Sequence, residues 1–210
     1  QVYIALAAFG GRPRFGHLPE YLQRDVKAFF GSYKSACREA DQLLFAAGNQ
    51  AVVDRACEAA TQGKCLPEAL YVHPTLLPML PAVLRTYEGC GRQLVGQIEG
   101  ANLIKLSRKR PKISYLVYDK FDRIAHPALQ ESFIADLPRL WVHHRNYRDS
   151  SNPPILHRKE LFVAEDYPHR PKFQRLTTRE EKLGLLEMAS RVGYQDEWNR
   201  RLVERGVKVV

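Results

Sequence analysis

The spacing of apolar residues changes along this chain at about Gly63, and that change limits what it can fold into. Before it, apolar positions recur every three or four residues. Leu18, Leu22, Val26, Phe29 and Phe30 make one stripe; Tyr33, Ala36, Cys37, Ala40, Leu43 and Leu44 make a second; Val52, Val53, Ala56 and Cys57 make a third. This spacing places each set on one face of a helix. Ser32 is suited to cap the second helix, and Gly31, Gly48 and Gly63 punctuate the three. Beyond Lys64 the apolar residues come in short, alternating runs, the pattern of strands with two unlike faces. Ala69 to His73, Gln93 to Ile98, Asn102 to Ser107, Lys112 to Tyr118 and Leu140 to Arg145 read as strands. Pro74 to Glu88 reads as a helix interrupted by Pro78 and Pro81, and Phe121 to Pro138 mostly as loop. Thr177 and Thr178, followed by Glu180 and Glu181, read as a helix start, and Gln195 to Glu204 as a last helix. The expected fold is α+β: a helical N-terminal third, then a mainly antiparallel sheet with C-terminal helices. The expected division is a helical subdomain over residues 1–63 and an α+β domain over 64–210.

The chain has 210 residues, 45% of them hydrophobic, enough for one sizeable core or two small ones. Its N-terminus has an apolar stretch without a basic region before it, so it reads as a helix of a longer chain rather than a signal peptide. No apolar run reaches the length of a membrane span. Cys37, Cys57, Cys65 and Cys90 lack the C-x-x-C spacing of a zinc knuckle, and the expectation is reduced thiols in a cytoplasmic protein. Lys and Arg number 32 against 23 acids, a formal charge of +9. That excess favours an anionic partner, nucleic acid being the commonest.

Two stretches concentrate chemistry. The first is Asn146 to Phe162, in which a polar turn with Pro153 and Pro154 leads into Ile155 and Leu156, then His157, Arg158, Lys159 and Glu160. Read as a strand, it sets Ile155, His157 and Lys159 on one face and Leu156, Arg158 and Glu160 on the other. It is either a solvated strand face or a site for a phosphate or anionic substrate. In a nuclease, His157 would serve as general base, Lys159 or Arg158 as phosphate clamp, and Glu160 as the carboxylate. The second is the basic run Lys105, Arg108, Lys109, Arg110 and Lys112, which a hairpin would project together, with Tyr115 and Tyr118 just beyond. Arg145, Arg148 and Arg158 extend the expected nucleic-acid-binding set. Charge at a hairpin tip is also an ordinary solubilising feature.

Tyr87-Glu88-Gly89-Cys90-Gly91-Arg92 has the glycines of a nucleotide-binding loop. It has no apolar strand before it, so neither S-adenosylmethionine nor any other cofactor is expected. His143 and His144 are neighbours on a strand and point to opposite faces. A metal would need His126, His144 or His157 with a carboxylate such as Asp119 or Asp122. Their spacing does not demand one, and no metal is assigned.

Four blocks, residues 6–33, 66–90, 99–129 and 152–185, together resemble the C-terminal half of the DNA phosphorothioation-associated methyltransferase family. The resemblance implies a context of DNA modification, restriction and antiphage defence. It implies no catalytic residue, because the family's methyltransferase domain lies N-terminal to the matching half. The expected function is therefore a DNA-binding accessory domain that presents double-stranded DNA to a methyltransferase domain or DNA-modification complex. The alternatives are a nuclease or other phosphodiester hydrolase around residues 152–160, and a protein-interaction module within such a complex.

Overall fold

The computed structural model describes residues 1–187 and 193–207. The fold is α+β, as the change of period predicts. α1 (Val2–Leu6), α2 (Glu20–Phe30), α3 (Tyr33–Gly48) and α4 (Gln50–Glu58) come first. A six-stranded sheet follows: β1 (Lys64–Cys65), β2 (Ala69–Val72), β3 (Leu103–Ser107), β4 (Lys112–Tyr118), β5 (Leu129–Asp136) and β6 (Trp141–Asn146). α5 (Ala82–Val95) is inserted between β2 and β3, and α6 (Arg170–Lys182) and α7 (Gln195–Glu204) follow the sheet. The strands are antiparallel neighbours in chain order. Among the described residues, no helix is long and apolar enough to cross a membrane.

The caps follow from local chemistry. Ser32 Oγ accepts the backbone N–H of Ser35 at 3.1 Å, and Asn49 Oδ1 accepts those of Ala51 and Val52 to start α4. Pro81 sits at the cap of α5 rather than inside it, so the helix runs on to Val95. Gln93 to Ile98 is accordingly no strand but the last turn of α5 and the loop after it. Gly89 and Gly91 lie within α5 for packing reasons. A Cβ at Gly89 would collide with the Leu6 side chain, and one at Gly91 would meet Ile113 and the Tyr115 hydroxyl at 3.1 Å. These glycines let α5 approach both α1 and the sheet.

One face of the sheet carries Leu70, Val72, Ile104, Leu106, Ile113 and Tyr115, which pack on Leu84 and Tyr87 of α5 and Val53 and Cys57 of α4. The main core therefore crosses Gly63 and joins the helical third to the sheet. Ile4, Ala5, Leu18, Val26, Ala36 and Ala40 form a smaller core among α1, α2 and α3. On the opposite face Leu103, Leu116, Tyr118 and Leu129, with Tyr71 beside them, are covered by Leu156, Phe162, Val163 and Phe173 of the C-terminal segment. The rest of that face is left open, and apart from Ile134 and the rim residue Trp141 its residues are polar.

Three other expectations are corrected. Residues 129–136 form a strand, not a loop. β5 sets Ser132, Ile134 and Asp136 toward the open face and Glu131, Phe133 and Ala135 toward the packed one, so Glu131 and Ile134 break its alternation. Residues 155–163 form no strand: Pro154 and Ile155 make single bridges, to Tyr194 and Ala128. Arg158 then turns left-handed at φ 53° and ψ 48°, and Lys159–Leu161 is a 3-10 turn. Finally, α6 starts at Arg170 with Pro171 in its first turn, so Thr177 lies mid-helix instead of at a cap.

Candidate functional site

The left-handed turn at Arg158 disperses the four charged residues that a strand would have aligned. Lys159 is 3% exposed; its Nζ donates to the backbone carbonyls of Phe121 and Ile124, both at 2.6 Å, and lies 4.1 Å from the centre of the Phe173 ring. Burial, with Lys172 adding to it, lowers its pKa to about 8. Glu160 is buried, and its Oε2 accepts the Thr177 hydroxyl at 2.9 Å. Burial pushes its pKa up against that hydrogen bond. Arg158 pairs with Glu181 on α6. His157 lies against His126 and Trp198, with ring centres 4.4 and 4.6 Å away. His157, Lys159 and Glu160 thus do not converge as the strand pattern of the sequence predicts.

The basic hairpin is also divided. Gln50 donates to the carbonyls of Ser107 and Arg108, drawing the β3–β4 turn onto α4. Arg108 Nε then meets Asp54 Oδ1 at 2.6 Å, and Lys109 Nζ meets Asp54 Oδ2 at 2.8 Å. Hydrogen bonds from Lys109 and Arg108 hold the Asp54 carboxyl below its ordinary range. Arg108 and Lys109 therefore fasten the turn to α4. Arg148 is likewise engaged with Glu131 at 2.7 Å, on the sheet face that α5 covers.

Of the others, the register brings Lys105, Lys112 and Arg145 to the open face, and Arg110 joins them from the β3–β4 turn. Lys105 pairs with Ser114, Ser114 with Ile134, and Ile134 with His143, a row crossing β3 to β6; Arg145 stands beyond, opposite Ser132. Arg139, which the sequence did not mark, joins them. Together these residues line a shallow cavity of about 470 Å³. Asp136, 2% exposed, lies beneath, 2.8 Å from Lys112 Nζ and 3.2 Å from Arg139 Nη1. Lys112, then Arg139, keeps its carboxyl below the ordinary range, so it holds those two cations in place while ionised. On the rim, Trp141 is 60% exposed and stacks on His143, rings 8° from parallel.

A second constellation joins three distant segments. His126 comes from the loop after β4, His157 from the segment before the 3-10 turn, and Glu180 from α6. Their ligand atoms all lie within 4.8 Å of one another, and His126 Nε2 is 2.7 Å from Glu180 Oε1. Among the described residues this is the one group of three or more His, Cys, Asp or Glu placed to hold a metal ion. The sequence had marked both histidines but not Glu180, which is 54 residues from His126. His144 lies near Glu131, on the sheet face that α5 covers. Asp119 pairs with Lys120, and Asp122 accepts the Tyr167 hydroxyl.

Comparison of the chain with protein-family models, with curated proteins and with solved structures gave no match.

Proposed function

We propose that this chain binds double-stranded DNA through the open half-face of its sheet, as an accessory domain of a DNA-modification system. The observation that carries the reading is the gathering of Lys105, Arg110, Lys112, Arg139 and Arg145 around one shallow cavity, with Asp136 buried beneath them. β3 and β6 are three strand spacings apart, about 14 Å. That is close to the width of the DNA major groove, about 12 Å, so cations on the two strands can meet phosphates of opposite backbones. Trp141 and His143 offer flat surfaces at the rim for sugars or exposed bases. The modification context, and a methyltransferase domain as partner, come from the family resemblance of the sequence. The face itself supports only the binding of a polyanion. A hydrolase built on His157, Lys159 and Glu160 has less support, because Lys159 and Glu160 are buried and engaged with other groups.

Fluorescence anisotropy with a labelled duplex tests the reading. About four neutralised phosphates give a slope of log affinity against log salt near −3 to −4. The triple variant Lys105→Ala/Arg110→Ala/Arg145→Ala is expected to flatten that slope by about 2.7, since each phosphate that goes unneutralised removes about 0.9. An unchanged slope and affinity in the triple variant would remove this face from the interface.

A further inference from the structure

We propose that His126, His157 and Glu180 form a binding site for a first-row transition-metal dication, zinc being the best chemical match. The proposal stands apart from the nucleic-acid reading and uses none of its residues. Two imidazoles and one carboxylate are a donor set that suits zinc, and three protein ligands leave a fourth position open. In a tetrahedral site with bonds of about 2.0–2.2 Å, ligand atoms stand about 3.3–3.6 Å apart. Here they lie within 4.8 Å of one another, with His126 and Glu180 already in hydrogen-bond contact, so small side-chain rotations close the site.

The independent observation is Glu180 itself. It is 4% exposed, and its Oε1 meets His126, yet Oε2 is buried without a hydrogen-bond partner among the described residues. A buried carboxylate with one oxygen unsatisfied is costly, and a dication removes that cost more fully than one hydrogen bond from an imidazole does. His126 and Glu180 also border a cavity of about 600 Å³ that Trp198 and Arg179 share. A metal there would have room for water or a small ligand at its fourth position. His126 Nδ1 is likewise buried without a hydrogen-bond partner among the described residues. Without such an outer acceptor, the affinity should fall about 10–100-fold below that of a fully supported site.

The test is titration of the full chain with Co²⁺ and then Zn²⁺. One equivalent of Co²⁺ is expected to give visible d–d bands without a thiolate charge-transfer band, and Zn²⁺ should displace it. The Trp198 ring is 4.5 Å from that of His126, and the chain has 2 tryptophans. In a Trp141→Phe background, Co²⁺ should therefore quench Trp198 fluorescence with the same saturation curve. Glu180→Gln preserves the volume of the side chain and should weaken Co²⁺ binding at least about tenfold, as loss of a direct ligand costs no less than loss of an outer-shell partner. His126→Ala should abolish the binding, and His144→Ala should leave it unchanged. The proposal fails if the wild-type chain shows no saturable binding, if a thiolate band accompanies it, or if Glu180→Gln binds as tightly as the wild type.

Discussion

Lys159→Met separates a packing role for this lysine from a catalytic one. Methionine keeps the aliphatic stem against Phe173 but removes the ammonium. The carbonyls of Phe121 and Ile124 then lose their donor, at about 1–3 kcal/mol each. Against this stands the cost of burying the charge. A pKa of about 8, against an ordinary lysine value near 10.4, corresponds to about 3 kcal/mol as an upper bound, and partial hydration reduces it to roughly 1–2 kcal/mol. Near neutral pH the lost hydrogen bonds outweigh the relief, so the variant should be less stable by about 1–3 kcal/mol. The sign of the pH dependence follows from the proton count. The folded chain releases the Lys159 proton near pH 8, whereas the unfolded chain keeps it up to the ordinary lysine range. Between those values the unfolded state holds more protons, so rising pH favours folding of the wild type and not of the variant. Urea unfolding of both chains should therefore show the stability gap widening by about 1–2 kcal/mol from about pH 8 to about pH 10. Duplex affinity should be the same in both. A gap that stays constant or narrows with pH would refute the buried-charge reasoning, and lost affinity with unchanged stability would place Lys159 at a binding site.

Two further outcomes are expected. Arg108→Ala/Lys109→Ala should leave the salt slope of duplex binding unchanged while lowering the melting temperature, because both side chains are engaged by Asp54; a flattened slope would return the hairpin tip to the interface. Gly89→Val should destabilise the chain by about 1–3 kcal/mol by overpacking α5 against Leu6. Leu6→Ala in the same chain should recover part of that loss, and a Gly89→Val chain that melts with the wild type would show that α1 and α5 part without cost.

The periodicities that specify single elements were legible in the sequence. The stripes of α2, α3 and α4 need only the 3.6-residue repeat, and β3, β4 and β6 only alternation. α7 runs from Gln195 to Glu204, the range read from the sequence. β5 was not legible, because Glu131 lies on the packed face and Ile134 on the open one, which breaks the alternation the other strands keep. Residues 155–163 misled in the other direction. Ile155, Leu156, Phe162 and Val163 are apolar enough for a strand, but Leu156, Phe162 and Val163 cover one end of the sheet from outside it, and Ile155 packs on Trp198 and Leu202 of α7.

The sequence by itself determined the α+β class, the positions of most helices and strands, and the excess of positive charge. Only the tertiary structure decided which charges face outward together. Lys105 and Arg145 share a face through three strand pairings, Arg108 and Lys109 are turned onto α4 by Asp54, and Lys159 is enclosed by aromatic rings. His126, His157 and Glu180 meet only because the loop after β4, the turn before residue 159 and α6 close on one another. The physical reason is that a residue's period fixes the face it occupies on its own element. What covers that face depends on packing between residues far apart in the chain, and no local pattern encodes that.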